Sequence, residues 1–238
     1  MDNEILESRD KGQASSVGLL SRFFGIIFSP TETFKKVVEK PEWLGMLLLI
    51  CTVAALTIGG FLMTEAGQGA WLDAALEASS GESAEAQSEA LENLLPYLGY
   101  IGMAQGFIGS ALMNLILAGI LYLVFSVMGG DATFRQLFAV VLHAGVIGTL
   151  HNLFMWPLNY LRGSMESPTT FAALLPMLED DTRLYQFLKT IDLLFIWWII
   201  VLSIGLGVLY KRKTKPIGIS LFLIYGLIAL IVALVRGS

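Results

Sequence analysis

The sequence predicts an all-α polytopic membrane protein: a five-helix transmembrane bundle preceded by amphipathic cytoplasmic helices. Three observations carry that prediction. Of 238 residues, 55% are hydrophobic and 15% charged, and mean hydropathy is +0.69, leaving too little polar surface to cover a soluble globule. Five stretches are long and apolar enough to cross a hydrocarbon core about 30 Å thick, which takes roughly 20 helical residues. Lys and Arg fall unevenly on alternate connections, the bias that orients membrane proteins.

The spans lie at about Trp43 to Met63, Gly99 to Met128, Phe134 to Met155, Ile191 to Tyr210 and Ile217 to Val235. This divides the chain into a cytoplasmic N-terminal region, 1–42, with interfacial helices, and a five-span transmembrane domain, 43–238. A cleaved leader is not expected. Asp2, Glu4, Glu7 and Asp10 precede the first long apolar run, which starts only at Trp43. Cys51, the single cysteine, lies inside the first span, so neither an internal disulfide nor a cysteine-based metal cluster is available.

Before the first span, SVGLLSRFFGIIFSPTETFKKVVEKPEW reads as two short helices. The first carries Leu19, Leu20, Phe23, Phe24 and Ile27 along an apolar face with Arg22 marking a polar flank. It is too short to span, and such a face suits either the cytoplasmic interface or packing against the bundle. Ser29-Pro30-Thr31-Glu32 is a helix-start signature, with a capping serine, proline at the first helical position and Glu32 completing a capping box. The second helix should end before Pro41.

With five crossings, eleven Lys or Arg lie on the N-terminal side, including Lys211, Arg212, Lys213 and Lys215, against four on the other. The N-terminus is therefore expected in the cytoplasm and the C-terminus outside. Trp43, Tyr97, Tyr100, Trp156, Tyr160 and Tyr210 fall near span ends, at headgroup level. Trp197 and Trp198 are mid-span and should be packed. The first outer connection holds seven acids and no base and reads as a solvated, partly helical loop. The third, with FAALLPML between polar segments, could lie along the interface or dip into it. No fixed-period repeat or internal symmetry of the kind common in carriers is visible.

Gly129 and Gly130 close the second span as a helix C-cap. Thr133-Phe134-Arg135-Gln136 fits a capping box opening the third. A phosphate loop would need a longer glycine-rich run with a positioned lysine, or the spaced glycines of a dinucleotide fold, and neither pattern occurs. Arg135, beside a helix N-terminus, could attract an anionic lipid headgroup. His143 and His151 lie in the third span, about 12 Å apart along the axis and about 80° around it, too far for one metal. His143 should be a neutral histidine hydrogen-bonded across helices, or else a relay or substrate contact. His151 is expected near the outer interface.

The second span carries Gly102, Gly106, Ser110, Asn114 and Ala118 at four-residue spacing, a smooth stripe for close helix approach, in which Asn114 could bond to a neighbour in the third span. Asp192, at the entrance of the fourth span, could pair with Lys189. No zinc-binding His-Glu-x-x-His, nucleophile elbow or intramembrane acid pair occurs. No enzyme activity, cofactor or metal is therefore expected.

The FSPTETFKKVVEKPEW stretch and the MGGDATFRQLFAVVLHAG hairpin together resemble the bacterial branch of the YIP domain (Ypt/Rab-interacting protein) family. The marks are Ser29-Pro30, Phe34, Pro41 with Trp43, and Gly129-Gly130 through Thr133-Phe134 and Leu137-Phe138. The resemblance runs from about residue 20 to 235. It implies a five-span membrane domain without a settled activity and names no catalytic residues to transfer. Eukaryotic members are linked to Rab GTPases, but their tyrosine-containing cytoplasmic motif is missing here, so GTPase binding is not carried over.

The leading expectation is a non-enzymatic protein of a bacterial inner (cytoplasmic) membrane that organises the membrane or scaffolds partners. The rival is a small-solute or ion transporter or channel with Asn114, Arg135 and His143 lining a path between the second and third spans. Expected partners are membrane lipid and membrane or cytoplasmic proteins, with a homo-oligomer left open. A formal net charge of −5 argues against nucleic acid.

Overall fold

The computed structural model describes residues 18–78, 90–175, 177–179 and 182–236. The N-terminal acids Asp2 to Asp10 and the acidic centre of the first connection, 79–89, lie outside the described residues. The described chain is all-α: α1 Leu19–Phe28, α2 Pro30–Glu39, α3 Leu44–Leu62, α4 Glu65–Ala78, α5 Leu98–Val127, α6 Phe134–Ala144, α7 Val146–Arg162, α8 Arg183–Thr190, α9 Leu193–Leu209 and α10 Thr214–Arg236.

Four helical segments are long and apolar enough to cross a membrane: α3, the run Ala90–Val127 ending in α5, α6 with α7, and α10. The seventeen-residue α9, where the sequence placed a fourth of five spans, is a shorter apolar helix that falls below that length.

The third span differs from its sequence-based limits. It runs on to Arg162, past Met155, with Pro157 inside α7. A proline there forgoes its N–H bond to the carbonyl four residues back and crowds that carbonyl, yet the helix continues to Arg162 and ends at Gly163. The junction between α6 and α7 falls at Gly145, where a Cβ would stand 2.9 Å from Ile50 Cδ1. The ladder is unbroken there: Gly145 N–H meets Val141 O at 3.0 Å and Thr149 N–H meets Gly145 O at 3.0 Å.

This span is the hub. Every residue from Leu137 to Ile147 is buried, beneath α2, α3, α5 and α9. The α5 surface is largely exposed instead, with Met113, Leu123 and Val127 uncovered, as a lipid-facing helix should be. The most extensive helix pairing joins α3 to α5, and glycines let it close. A Cβ on Gly106 would stand 2.7 Å from Ala54 O, and one on Gly59 would stand 2.7 Å from Gly99 O. Gly102 meets Gly59 and Leu62 in the same way, while Ser110 bonds back to Phe107 O at 3.2 Å.

The α5–α6 turn follows from its residues. Gly129, at φ 77°, supplies the left-handed residue that ends α5. The Gly129 and Gly130 amides return to Ser126 O and Phe125 O at 3.0 and 2.9 Å, a Schellman closure. Gly130 also makes room for Tyr210, whose ring stacks on Phe125 at 4.3 Å. Thr133 and Gln136 complete the capping box that opens α6, and Phe134 stacks on Phe138.

Candidate functional site

The first site is the α1–α2 hairpin on the basic end of the bundle. Proline at N1 starts α2, but Ser29 makes no side-chain cap bond, and Glu32 pairs with Lys35 at 2.7 Å. The expected capping box is absent because the Ser29 amide, which Glu32 would have to reach, closes α1 instead by donating to Gly25 O at 2.8 Å, while the Ser29 carbonyl accepts from the amide and the hydroxyl of Thr33 at 3.1 and 3.0 Å. Thr33 is also where α2 meets α1, since a Cβ on Gly25 would collide with its side chain.

Phe34 anchors the hairpin. It is fully buried, and its ring lies 2.9 Å from where a Cβ on Gly205 of α9 would be, with Val140 of α6 alongside. Gln136 donates to Val38 O at 3.2 Å, Arg135 Nε donates to Pro41 O at 3.3 Å, and Trp43 packs on Phe138 with ring centroids 5.5 Å apart.

Arg22 is not the polar flank the sequence suggested. It is 4% exposed and turns inward to Glu42, Nη2 to Oε2 at 2.7 Å, while Lys40 holds the other Glu42 oxygen at 2.7 Å. Turning Arg22 and Ile26 inward leaves Phe23 and Ile27 partly packed and rotates Leu20, Phe24 and Phe28 outward, at 66, 55 and 79% exposed. These three are spaced i, i+4, i+8, one stripe along a helix. The outward face of α2 carries Glu32, Lys35, Lys36 and Glu39. The hairpin is thus greasy along α1 and charged along α2.

The intramembrane candidates do not form one site. His143 is fully buried, and its Nδ1 contacts Ala139 O of its own helix at 2.7 Å rather than a neighbouring helix. Its Nε2 has no partner. The i−4 carbonyl lies within the side chain's reach on the same face, so the local bond displaces the interhelical one. Asn114 likewise donates to Ser110 O in its own helix at 2.8 Å, with Oδ1 directed toward Gly145. Arg135 is exposed at the helix start, about 12 Å along the axis from His143.

Sequence reasoning missed a second polar centre at the opposite end. Asp192 caps α9, its Oδ1 accepting from the Leu194 and Phe195 amides at 2.8 and 3.3 Å and its Oδ2 from the Ser167 and Thr169 hydroxyls, both at 2.6 Å. The Asp192 amide donates to Tyr225 Oη, which donates to Thr190 O at 2.7 Å. Lys189 does not pair with Asp192. It pairs with Glu166, and the neighbour of Asp192 is His151, Nε2 to Oδ2 at 3.6 Å. The short loop places Lys189 on α8, turned to a different part of the third connection. The sequence signal was an aspartate immediately before an apolar run; its partners lie 23 to 41 residues away.

A cavity of about 360 Å³ lies beside this centre, between His151, Asp192, Trp198 and Tyr225. Serine, histidine and aspartate meet here, but the order is not that of a nucleophile. An activated serine donates to a basic nitrogen, whereas Ser167 donates to the carboxylate. The arrangement caps a helix and staples α7, α9, α10 and the third connection together. Among the described residues no group of three or more His, Cys, Asp or Glu could hold a metal.

The Yip1 domain model matches residues 24–236, from the middle of α1 to the end of α10. The chain belongs to the Yip1 domain family. It is also similar to the membrane protein YknW of Bacillus subtilis (strain 168), 27% identical over 207 residues that cover 86% of this chain and 85% of that one. No solved structure matches. The chain is therefore an integral membrane protein, and the Yip1 domain takes in both the hairpin and the bundle, with Phe34 at their junction.

Proposed function

We propose that this Yip1 domain protein is a non-enzymatic organiser of a bacterial inner membrane or a scaffold for partners in it. Residues 1–42 form a cytoplasmic interfacial region joined to a five-span domain, 43–238, and the C-terminus lies outside. The observation that carries this reading is the Leu20, Phe24 and Phe28 stripe, held outward by a hairpin whose other face is plugged into the bundle by Phe34. An amphipathic pair of this kind lies in the interface plane, apolar stripe to the acyl boundary and charged α2 to water and headgroups. The basic cluster Lys211 to Lys215 faces cytoplasmic lipid or protein at the same end.

The transport reading has less support, since His143 is sealed, Asn114 is bonded within its own helix and Arg135 sits apart from both.

The test replaces Leu20, Phe24 and Phe28 together with serine in vesicle-reconstituted protein. Headgroup photocrosslinking to α1 should fall several-fold while the spans stay inserted by flotation. Crosslinking that is unchanged overturns the interfacial role.

A further inference from the structure

We infer that the cleft between α5 and α10 at the basic end is a binding site for one anionic phospholipid. The inference deepens the lipid-facing reading of the Lys211 to Lys215 cluster and rests on it. The cleft encloses about 320 Å³. One wall is Ile120, Val124 and Met128 of α5, and the other is Ile217, Leu221 and Ile224 of α10. Arg212 and Lys213 stand at its mouth.

Three features separate this cleft from an ordinary gap between spans. Its mouth is charged and its body is apolar, the polarity order of a lipid with its phosphate at the headgroup level. Basic pockets between spans are the usual receptors for such headgroups. The cations are also positioned. Arg212 Nη2 donates to Met128 O at 2.7 Å, which fixes the guanidinium across both walls while leaving further N–H donors of the fork free in number for a phosphate. The turn that presents them is the end of α9, where Lys211, at φ 51°, closes the helix with its amide on Val208 O and the Arg212 amide on Gly207 O at 3.0 Å, so the position of Arg212 is set by the helix terminus. The cleft also opens onto the lipid-facing surface: Ile120, Val124, Met128 and Ile224 of its walls are each about half exposed.

The occupant is an anionic diacyl phospholipid, its phosphate on Arg212 and Lys213 and a chain along Val124, Leu221 and Ile224. Purified full-length protein in detergent is titrated with phosphatidylglycerol, phosphatidylcholine or glycerophosphate, and the melting temperature is followed. Phosphatidylglycerol should raise it saturably with about tenfold preference over phosphatidylcholine, and glycerophosphate should not. R212Q/K213Q should weaken the phosphatidylglycerol effect roughly 10- to 30-fold. K211Q/K215Q removes equal charge from outside the cleft lining and should cost less than about threefold if position rather than net charge decides. S220W should block the cleft with both cations intact and abolish the effect.

K213Q alone leaves the Arg212–Met128 bond in place and should retain the fold and lose part of the preference. Equal response to both lipids, equal loss in K211Q/K215Q, a full response to glycerophosphate alone, or an S220W protein whose oligomeric mass changes would each overturn the site. The L20S/F24S/F28S protein should keep its phosphatidylglycerol preference, which separates failure here from failure of the hairpin reading.

Discussion

The two ends of α9 are held by opposite chemistries. At the basic end its grip is apolar, with Phe34 seated against Gly205. At the other it is polar, with Asp192 collecting two amides and two hydroxyls before the first turn. Burial of an aromatic ring is undirected and tolerates small shifts, whereas a carboxylate cap fixes where each donor must stand. The hairpin end is thus built to press one layer on another, and the Asp192 end to hold four chain segments in register.

The largest expected effect tests the apolar grip. Phe34→Ala should cost about 3–5 kcal/mol, the range for emptying a buried aromatic site. Thermal unfolding in detergent should shift accordingly, and α1 and α2 should become sensitive to protease. If the Asp192 end loosens equally, as judged by hydrogen exchange at Leu194 and Phe195, the two grips act as one cooperative unit and the contrast fails.

Asp192→Ala should come next, at about 2–3 kcal/mol, for a lost N-cap and two hydroxyls left without their acceptor. Its increased exchange should centre on the start of α9 and on 167–170, leaving the hairpin protected. Protection lost first at Phe34 would sink the assignment of Asp192 as a local staple.

The smallest effect concerns the ion pair over the hairpin. The hydrogen bond with Lys40, opposed by partial desolvation and helped by the charges of Arg22 and Lys40, holds the Glu42 carboxyl below its ordinary value. A carboxylate with a depressed folded pKa contributes stability fully above its unfolded value of about 4.3 and loses it as pH falls through the folded one. Glu42 is 43% exposed, so the contribution is under about 1 kcal/mol after screening. Hairpin protease protection should weaken as pH drops below about 4.3, and Glu42→Gln should remove that dependence.

Much of the fold was legible because hydrocarbon length and cap chemistry are local properties. The apolar runs located four helices long enough to cross and the shorter apolar α9, and Thr133 with Gln136 located the start of α6. Two things were not legible. The inward turn of Arg22 depends on Glu42, twenty residues on, and an apolar-rich helix offers several faces of similar greasiness. The Asp192 centre is assembled from four segments, so its nearest cation in sequence, Lys189, was a misleading guide. His143 was readable as intramembrane and polar, but its choice of the Ala139 carbonyl over a neighbouring helix is decided by side-chain reach.

The close contact of α3 with α5, through Gly59, Gly102 and Gly106, has a mechanical corollary. A seam in which backbone meets backbone at Gly106 and Gly59, with Met103, Ile58 and Leu62 filling the space between, leaves little play, so these two spans behave as one rigid rib. Any shape change this protein undergoes in a bending bilayer must then be taken up elsewhere, at the α6–α7 junction by Gly145 or along the largely exposed α10.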